Sequence, residues 1–366
     1  MSSFYYYKPS PRRNLALVYA QSLLKREPEP LLESDPESEW ESDPELQSES
    51  ELDVEWDTEP DAEPALDSPA PKEYTVADLI DLQAAEYASI DVEISAAGFS
   101  VTLTPMDEVE SKALDIEYVR SGSGVCVQVF GKTTFYEADY VATMIDDLMR
   151  AFRKPGFALH AFSVTATPCD NENWCTPEHH FYTQFRQAVS SMGPLRVESL
   201  YVCFNNARTI AAVEVAGFLE HFEPGTLANL TLDLSDESHV HNLAFLATTE
   251  QFKQCSIFMT ETEVLPAVLR GLAFGSNLDI YVAGISAEVL IDFVWVFLRS
   301  EQNKCAQLGF YRQYDREHLM RTLRTADFLQ IATNDPNAVI FTDRDLTSKV
   351  RVDFFDERIV VHKTRF

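Results

Sequence analysis

The sequence predicts an α/β fold: repeated β-α units forming a curved, leucine-rich-repeat-like sheet, with N-terminal β-hairpins and a C-terminal β-hairpin. Three observations predict it. From about residue 135 to 312 the apolar pattern switches back and forth between the helical and the strand period. The strand-like runs begin roughly 25 to 35 residues apart, the size of one β-α repeat. No Gly-rich turn follows any of these strands, as it would in a doubly wound nucleotide-binding sheet, so the open, curved arrangement is preferred.

The stretch 215–234 shows one repeat. Val215, Phe218, Leu219 and Phe222 recur at the spacing of a helix face turned to a core. Glu223-Pro224-Gly225 is expected to stop that helix, since proline cannot continue it and glycine permits a left-handed turn. Leu230, Leu232 and Leu234 then alternate with polar residues as a strand does, after Leu227.

In order, Thr75 caps a short helix through Leu82. Ile90, Val92 and Ile94 pair with Val101 and Leu103 as a hairpin across Ala96-Ala97-Gly98. A second hairpin joins Leu114, Ile116 and Tyr118 to Val125, Val127 and Val129 across Ser121-Gly122-Ser123-Gly124; that glycine loop links two strands, so it is not read as a phosphate cradle. A helix face follows at Val141, Met144, Ile145, Leu148 and Phe152, then a strand at Leu159, Phe162 and Val164. After a polar loop, 168–177, the expected elements are a helix over 180–191, a strand over 195–204, a helix over 209–222 and a strand over 227–234. A helix over 240–253, a strand over 255–259, a helix over 264–272 and a strand over 278–282 continue the alternation. Ser286 caps a helix that buries Leu290, Phe293, Val294 and Phe297, and a strand over 308–311 closes the series. Val350 and Val352 to Phe355, the turn Asp356-Glu357, and Ile359 to Val361 read as a terminal hairpin capping the open sheet edge.

The chain has 366 residues and a formal net charge of −30, and 18 acidic residues with no basic one lie between Glu27 and Pro71. That tract repeats Glu-Ser-Asp-Pro-Glu at 33–37 and 41–45, and its prolines and like charges leave little apolar surface to offset chain entropy. It is read as a disordered acidic linker over 27–73, with serines suited to an acid-directed kinase. Residues 1–26 form a tail in which Leu15, Val18, Leu23 and Leu24 allow one short helix. The mild acidity of the remainder argues against nucleic acid, and no apolar run is long enough for a membrane span or a secretory signal. The six cysteines are dispersed and several sit in apolar strand patterns as small buried hydrophobes, which indicates a reducing intracellular compartment, cytoplasmic or nuclear.

Phe222-Glu223-Pro224-Gly225-Thr226-Leu227, and Thr249-Glu250-Gln251-Phe252-Lys253-Gln254-Cys255, resemble the signature elements of the FTH domain, a domain of unknown function in nematode F-box-associated proteins. Phe252 and Cys255 stand where that family commonly carries tryptophan and alanine. The resemblance covers about residues 78 to 366 and makes 74–366 an FTH-like α/β interaction domain. It implies a substrate-recruiting, protein-binding role behind an F-box that docks on a ubiquitin-ligase core. The place of the F-box is taken by Glu27 to Pro71, which lacks both helix continuity and an apolar stripe, so direct docking on the ligase scaffold is not expected.

No residue is assigned to catalysis, to a cofactor or to a metal. Cys169, Cys175, His179 and His180 lie close in sequence, but the cysteines are spaced too widely for a zinc pair and no second ligand pair is evident. His221 and His241 lie near Glu220 and Asp236 without a nucleophile elbow or a His-Glu-x-x-His motif, and read as surface histidines. Asp343, Asp345, Asp353 and Asp356 lack calcium-loop spacing and read as turn and solvent-face residues. The function expected is a protein–protein interaction module with a protein partner of unknown identity. The alternative is an α/β enzyme with an unrecognised site, which a pocket of perturbed carboxylates would favour; a broad apolar patch on a sheet face would favour binding.

Overall fold

A computed structural model describes residues 74–106, 112–167, 176–204, 212–234, 243–275, 277–301, 304–326, 329–331, 335–342 and 347–365. The expected tail helix over 15–24, the acidic tract and most of the 168–177 loop lie outside the described residues.

The chain from Ala70 onward forms one unit. It opens with α1 (Val76–Leu82), β1 (Glu86–Ile94), β2 (Gly98–Pro105), β3 (Leu114–Ser121), β4 (Gly124–Val129), β5 (Lys132–Tyr136) and α2 (Tyr140–Phe152). Then come β6 (Ala158–Ala166), α3 (Thr176–Ser190), β7 (Val197–Phe204), α4 (Ala212–Leu219), β8 (Asn229–Leu234), a 3-10 turn (Ala244–Thr248) and α5 (Glu250–Gln254). β9 (Ile257–Val264), a 3-10 turn (Pro266–Val268), α6 (Leu269–Leu272), β10 (Asn277–Val282), α7 (Ala287–Arg299), β11 (Lys304–Gly309) and α8 (Arg316–Thr325) follow. The chain ends on β12 (Leu329–Ile331), β13 (Ala338–Thr342), β14 (Ser348–Phe354) and β15 (Arg358–Arg365).

The fifteen strands among the described residues share one sheet, in the order β12-β13-β14-β15-β11-β10-β9-β8-β7-β6-β1-β2-β3-β4-β5. From β1 through β6 to β11 the strands are parallel and each new one is added on the same side of the last. Right-handed crossovers that never reverse direction place every connecting helix on the same face. This is the arrangement of a solenoid rather than of a doubly wound sheet, with antiparallel strands at both ends, as expected.

The register shows the consequence. Leu114, Leu103, Ile90, Phe162, Leu200, Leu230, Phe258, Leu278, Ala306, Val361, Val352 and Val339 are aligned partners on successive strands, and none is more than 3% exposed. That row lies under the helices. A slip of one residue would turn it outward, so the burial pattern itself specifies the register. Phe152, Phe162, Phe185, Phe218 and Phe222 extend the core between sheet and helices through ring contacts of 5.2–6.3 Å. Phe218, Phe222, Leu230 and Phe252 lie in the same contiguous core, each fully buried.

Helix ends are satisfied in two ways. Thr75 and Asp78 form a capping box on α1, and Asp139, Ser286 and Asp315 cap α2, α7 and α8. At C-termini, three lysine ammonium groups donate to the last carbonyls. Lys154 reaches Ile80 and, at 2.7 Å, Gln83 beyond α1; Lys304 reaches Ala273 and Gly275 beyond α6; Lys363 reaches Leu298, at 2.7 Å, and Ser300 at the end of α7. Lys304 and Lys363 face each other across β11 and β15, both buried, and burial followed by Lys363 holds the Lys304 ammonium below its ordinary pKa.

Several expected bounds are corrected. α4 ends at Leu219, before Glu223-Pro224-Gly225, because the chain turns into a parallel bridge between Leu195 and Phe222; the Leu195 and Glu223 amides bond to the carbonyls of His221 and Leu195. The helix expected over 240–253 is a 3-10 turn and a five-residue helix, broken at the extended Thr249. The strand expected at 255–259 runs on to Val264, and Pro266 leaves only short helical turns where a helix over 264–272 was expected. The strand expected at 308–311 is β11, which ends at Gly309. Sequence reading missed β5, α8, β12 and β13. The terminal hairpin does pair with the parallel run through β15, but β13 and β12 continue beyond it, so the sheet edges are β12 and β5.

Candidate functional site

The titratable groups singled out in the sequence are not brought together. His179 and His180 are exposed on α3, and His179 Nδ1 lies 3.1 Å from Glu214. His221 sits just beyond α4, its pKa lowered by burial and by Arg186. Asp353 is paired with Arg351 at 2.7 Å, and Asp356 with Arg316 at 3.3 Å in the β14–β15 turn. Cys169, Cys175, His241, Asp343 and Asp345 lie outside the described residues. Among the described residues, no group of three or more His, Cys, Asp or Glu is placed to hold a metal ion. No described helix is long and apolar enough to cross a membrane.

A shallow cleft between α1 and α2 is lined by Ala77, Asp81, Asp146, Asp147, Arg150 and Arg153. Two of its carboxylates, Asp81 and Asp147, are engaged. Arg150 bonds Asp81 at 3.0 Å, and Asp147 accepts the Tyr118 hydroxyl at 2.8 Å, which pins α2 to β3. Burial raises the Asp147 carboxyl and pushes the Tyr118 phenol well up.

The larger feature is the sheet face opposite the helices. One residue along from the buried row, Asp115, Thr102, Asp91, Ser163, Tyr201, Thr231, Met259, Asp279 and Gln307 are register partners across nine strands, from β3 to β11. This face is polar, not apolar, and cross-strand hydrogen bonds tie it down. Thr102 donates to Asp115 at 2.7 Å, Thr167 to Glu93 at 3.0 Å, and Asn229 to Ser199 at 3.0 Å.

A β-bulge interrupts it toward the β11 end. Between β9 and β10 the pairing jumps from Ile280↔Thr260 to Tyr281↔Glu263, which removes Glu261 and Thr262 from the ladder. The freed groups find side chains instead. The Glu261 amide donates to Asp233 at 2.8 Å, and the Glu261 carbonyl accepts the Tyr311 hydroxyl at 2.6 Å. Asp233 also bonds Tyr201, and burial pushes its carboxyl up to about 6. Tyr311, 60% exposed, stacks on Tyr281 with ring centroids 4.3 Å apart.

Cysteine placement differs from expectation. Cys255 is buried, but Cys126, Cys203 and Cys305 are half-buried thiols at open-face positions of β4, β7 and β11. Alternation alone identifies them as strand residues; only the register shows which face they occupy. Tyr201, Asp233, Glu261, Tyr281 and Tyr311 went unremarked in the sequence for the same reason: they lie 110 residues apart at the extremes and meet only because five strands stack in order.

The open face is mostly acidic, with Arg358 of β15 reaching it at Gln307, 3.4 Å away, and acting on Asp279. In the eight contiguous strands from β3 to β10, the described sequence holds no lysine and a single arginine, Arg120. Arg120 acts on Tyr140 of α2. The acidic side chains of those strands include Asp91, Glu93, Asp115, Glu117, Asp233, Glu261 and Asp279.

The family profile of the FTH domain matches residues 179–325, from within α3 to the end of α8. The resemblance read from the sequence extended further in both directions. No curated protein and no solved structure matches the chain.

Proposed function

From the premise that this chain carries an FTH domain, an F-box-associated domain of unknown function, at residues 179–325, we propose that it is a protein-interaction module whose open sheet face receives a partner protein. One observation carries the reading. Helices cover one face of the sheet, while the other presents an aligned row across nine strands that is polar except at Met259 and at least partly exposed except at Thr231. Such a rigid, wide, preorganised surface suits macromolecular docking, because little entropy is lost on ordering it. The substrate-recruiting role implied by the family fits this surface. Docking on a ubiquitin-ligase scaffold is not part of the proposal, since the residues of 27–71 are acidic and proline-rich.

The test is site-specific photocrosslinking. A benzophenone amino acid replaces Glu117 or Asp279 on the open face, or Asp292 or Glu317 on the helix side; all four residues are exposed. The expected result is a discrete protein adduct in cell extract from the two open-face positions alone. Equal adducts from both sides, or none from the open face, would refute the proposal.

A further inference from the structure

We infer that the open face takes a lysine- and arginine-rich extended polypeptide segment of about ten residues, lying across the strands. The inference rests on the proposal that this face is the docking surface, and adds the chemistry of its partner.

Charge complementarity carries it. Asp115, Asp91 and Asp279 stand in one register row, and Glu117, Asp233 and Glu261 lie two residues further along their strands. Arg120 lies at the Tyr140 side, so the basic group that acts on the row is Arg358, at its Asp279–Gln307 end, and Asp91 and Asp115 lie five and seven strands from Asp279. The sheet offers the carboxylates in a row across strands instead of a cage. β3 to β10 span seven inter-strand steps, which at about 4.8 Å each make a track of about 34 Å. An extended chain covers that in about ten residues at roughly 3.4 Å per residue.

A second observation points to the same ligand. At the β9–β10 end of the track the exposed Tyr311 ring, stacked on Tyr281, stands beside Glu261 and is held by its carbonyl. An aromatic face next to carboxylates is the setting that binds guanidinium or ammonium groups by combined ion pairing and cation–π attraction. The chain carries a separate pool of 18 acidic residues in 27–71, which would raise the local concentration of the same basic partner without specifying it.

The test uses the full chain and a fluorescein-labelled ten-residue peptide of alternating arginine and serine, read by fluorescence anisotropy. The same peptide with glutamate for arginine is the control. Three chains are compared with the native one: Asp91→Asn with Asp115→Asn and Asp279→Asn on the open face; Asp146→Asn with Asp292→Asn and Glu317→Gln on the helix side; and the acidic residues of 27–67 changed to their amides. The expected result is that the open-face triple weakens arginine-peptide binding about tenfold or more with a melting temperature that does not fall. The helix-side triple should change it less than about twofold. The affinity should fall steeply with salt. Two results overturn the inference: no preference for the arginine peptide, or binding that survives the open-face triple and disappears only when 27–67 is neutralised. Crosslinking to a partner from Glu117 or Asp279 in the face of either result would leave the docking surface standing and remove only its assignment to a basic segment.

Discussion

Phe222→Ala is the substitution whose cost the structure defines best. The ring is fully buried and lies 5.2 Å from Phe218 and 6.0 Å from Phe162, centroid to centroid. Truncating a buried phenylalanine costs about 3–5 kcal/mol, the upper part of that range applying where the site cannot collapse. Here it cannot. The flanking backbone is tied by the His221 carbonyl to the Leu195 amide at 2.7 Å, and by the Glu223 amide to the Leu195 carbonyl at 2.8 Å. The Phe222 carbonyl itself accepts from Gln251 at 2.9 Å. Those bonds survive the substitution and hold the walls of the new cavity apart. Two ring contacts, each worth about 0.5–1.5 kcal/mol beyond area, are lost with it. The expected loss is therefore about 4–5 kcal/mol, against about 1–2 kcal/mol for Phe222→Leu, which keeps most of the volume. Urea unfolding of the full chain by circular dichroism measures both, with the slope m checked for constancy. A loss below about 1 kcal/mol for Phe222→Ala would refute the claim that this bridge holds the α4–β8 junction rigid.

Two further outcomes follow from particular residues. The Asp233 carboxyl, held near 6 against 3.8 in the unfolded chain, keeps a proton between those values that the unfolded chain has released. Stability contributed by this group therefore falls as pH rises from about 4 to 6 and is level above that. Asp233→Asn should stabilise the chain at pH 7.5 by about 1–2 kcal/mol, the partial solvent contact limiting the gain, and have little effect near pH 4. A gain that is the same at both pH values would show that burial of the charge is not its source. At the β4–β5 turn, Phe130 adopts φ 47°, in the left-handed region, and is 67% exposed, with Gly131 at φ 74° beside it. Phe130→Gly should raise stability by about 1 kcal/mol in thermal unfolding, because a two-residue hairpin of this kind favours glycine or asparagine at both positions; a lowered melting temperature would mean that the ring makes a stabilising contact that outweighs the strain.

Much of the architecture was legible in the chain because it depends on local periodicity. The apolar positions of α2 and α7, the cap at Ser286, and the strand alternation at Leu230-Leu232 follow from which residues can share one face of a helix or strand or end it. Even the choice of an open solenoid over a doubly wound sheet came from short-range facts, the repeat length and the lack of Gly-rich turns. Where the reading failed, a distant partner had won over local preference. Phe222 has helical spacing from Val215, yet its backbone leaves the helix to bridge Leu195. Glu261 and Thr262 continue the β9 pattern, yet they bulge because Asp233 and Tyr311 satisfy the groups they free.

The candidate surface belongs almost wholly to that second category. By itself the sequence determined that strands alternate polar and apolar residues, that the chain is acidic, and that it resembles the FTH domain. The tertiary structure alone decided that Asp115, Asp91 and Asp279 stand in one row, and that Tyr201 and Tyr311, 110 positions apart, converge on the Asp233–Glu261 bulge. The physical reason is that a strand's period specifies which residues share a face, whereas the order and register of strands depend on burial summed over the whole sheet. One row of twelve buried side chains settles that register, and the opposite row of polar ones is carried with it.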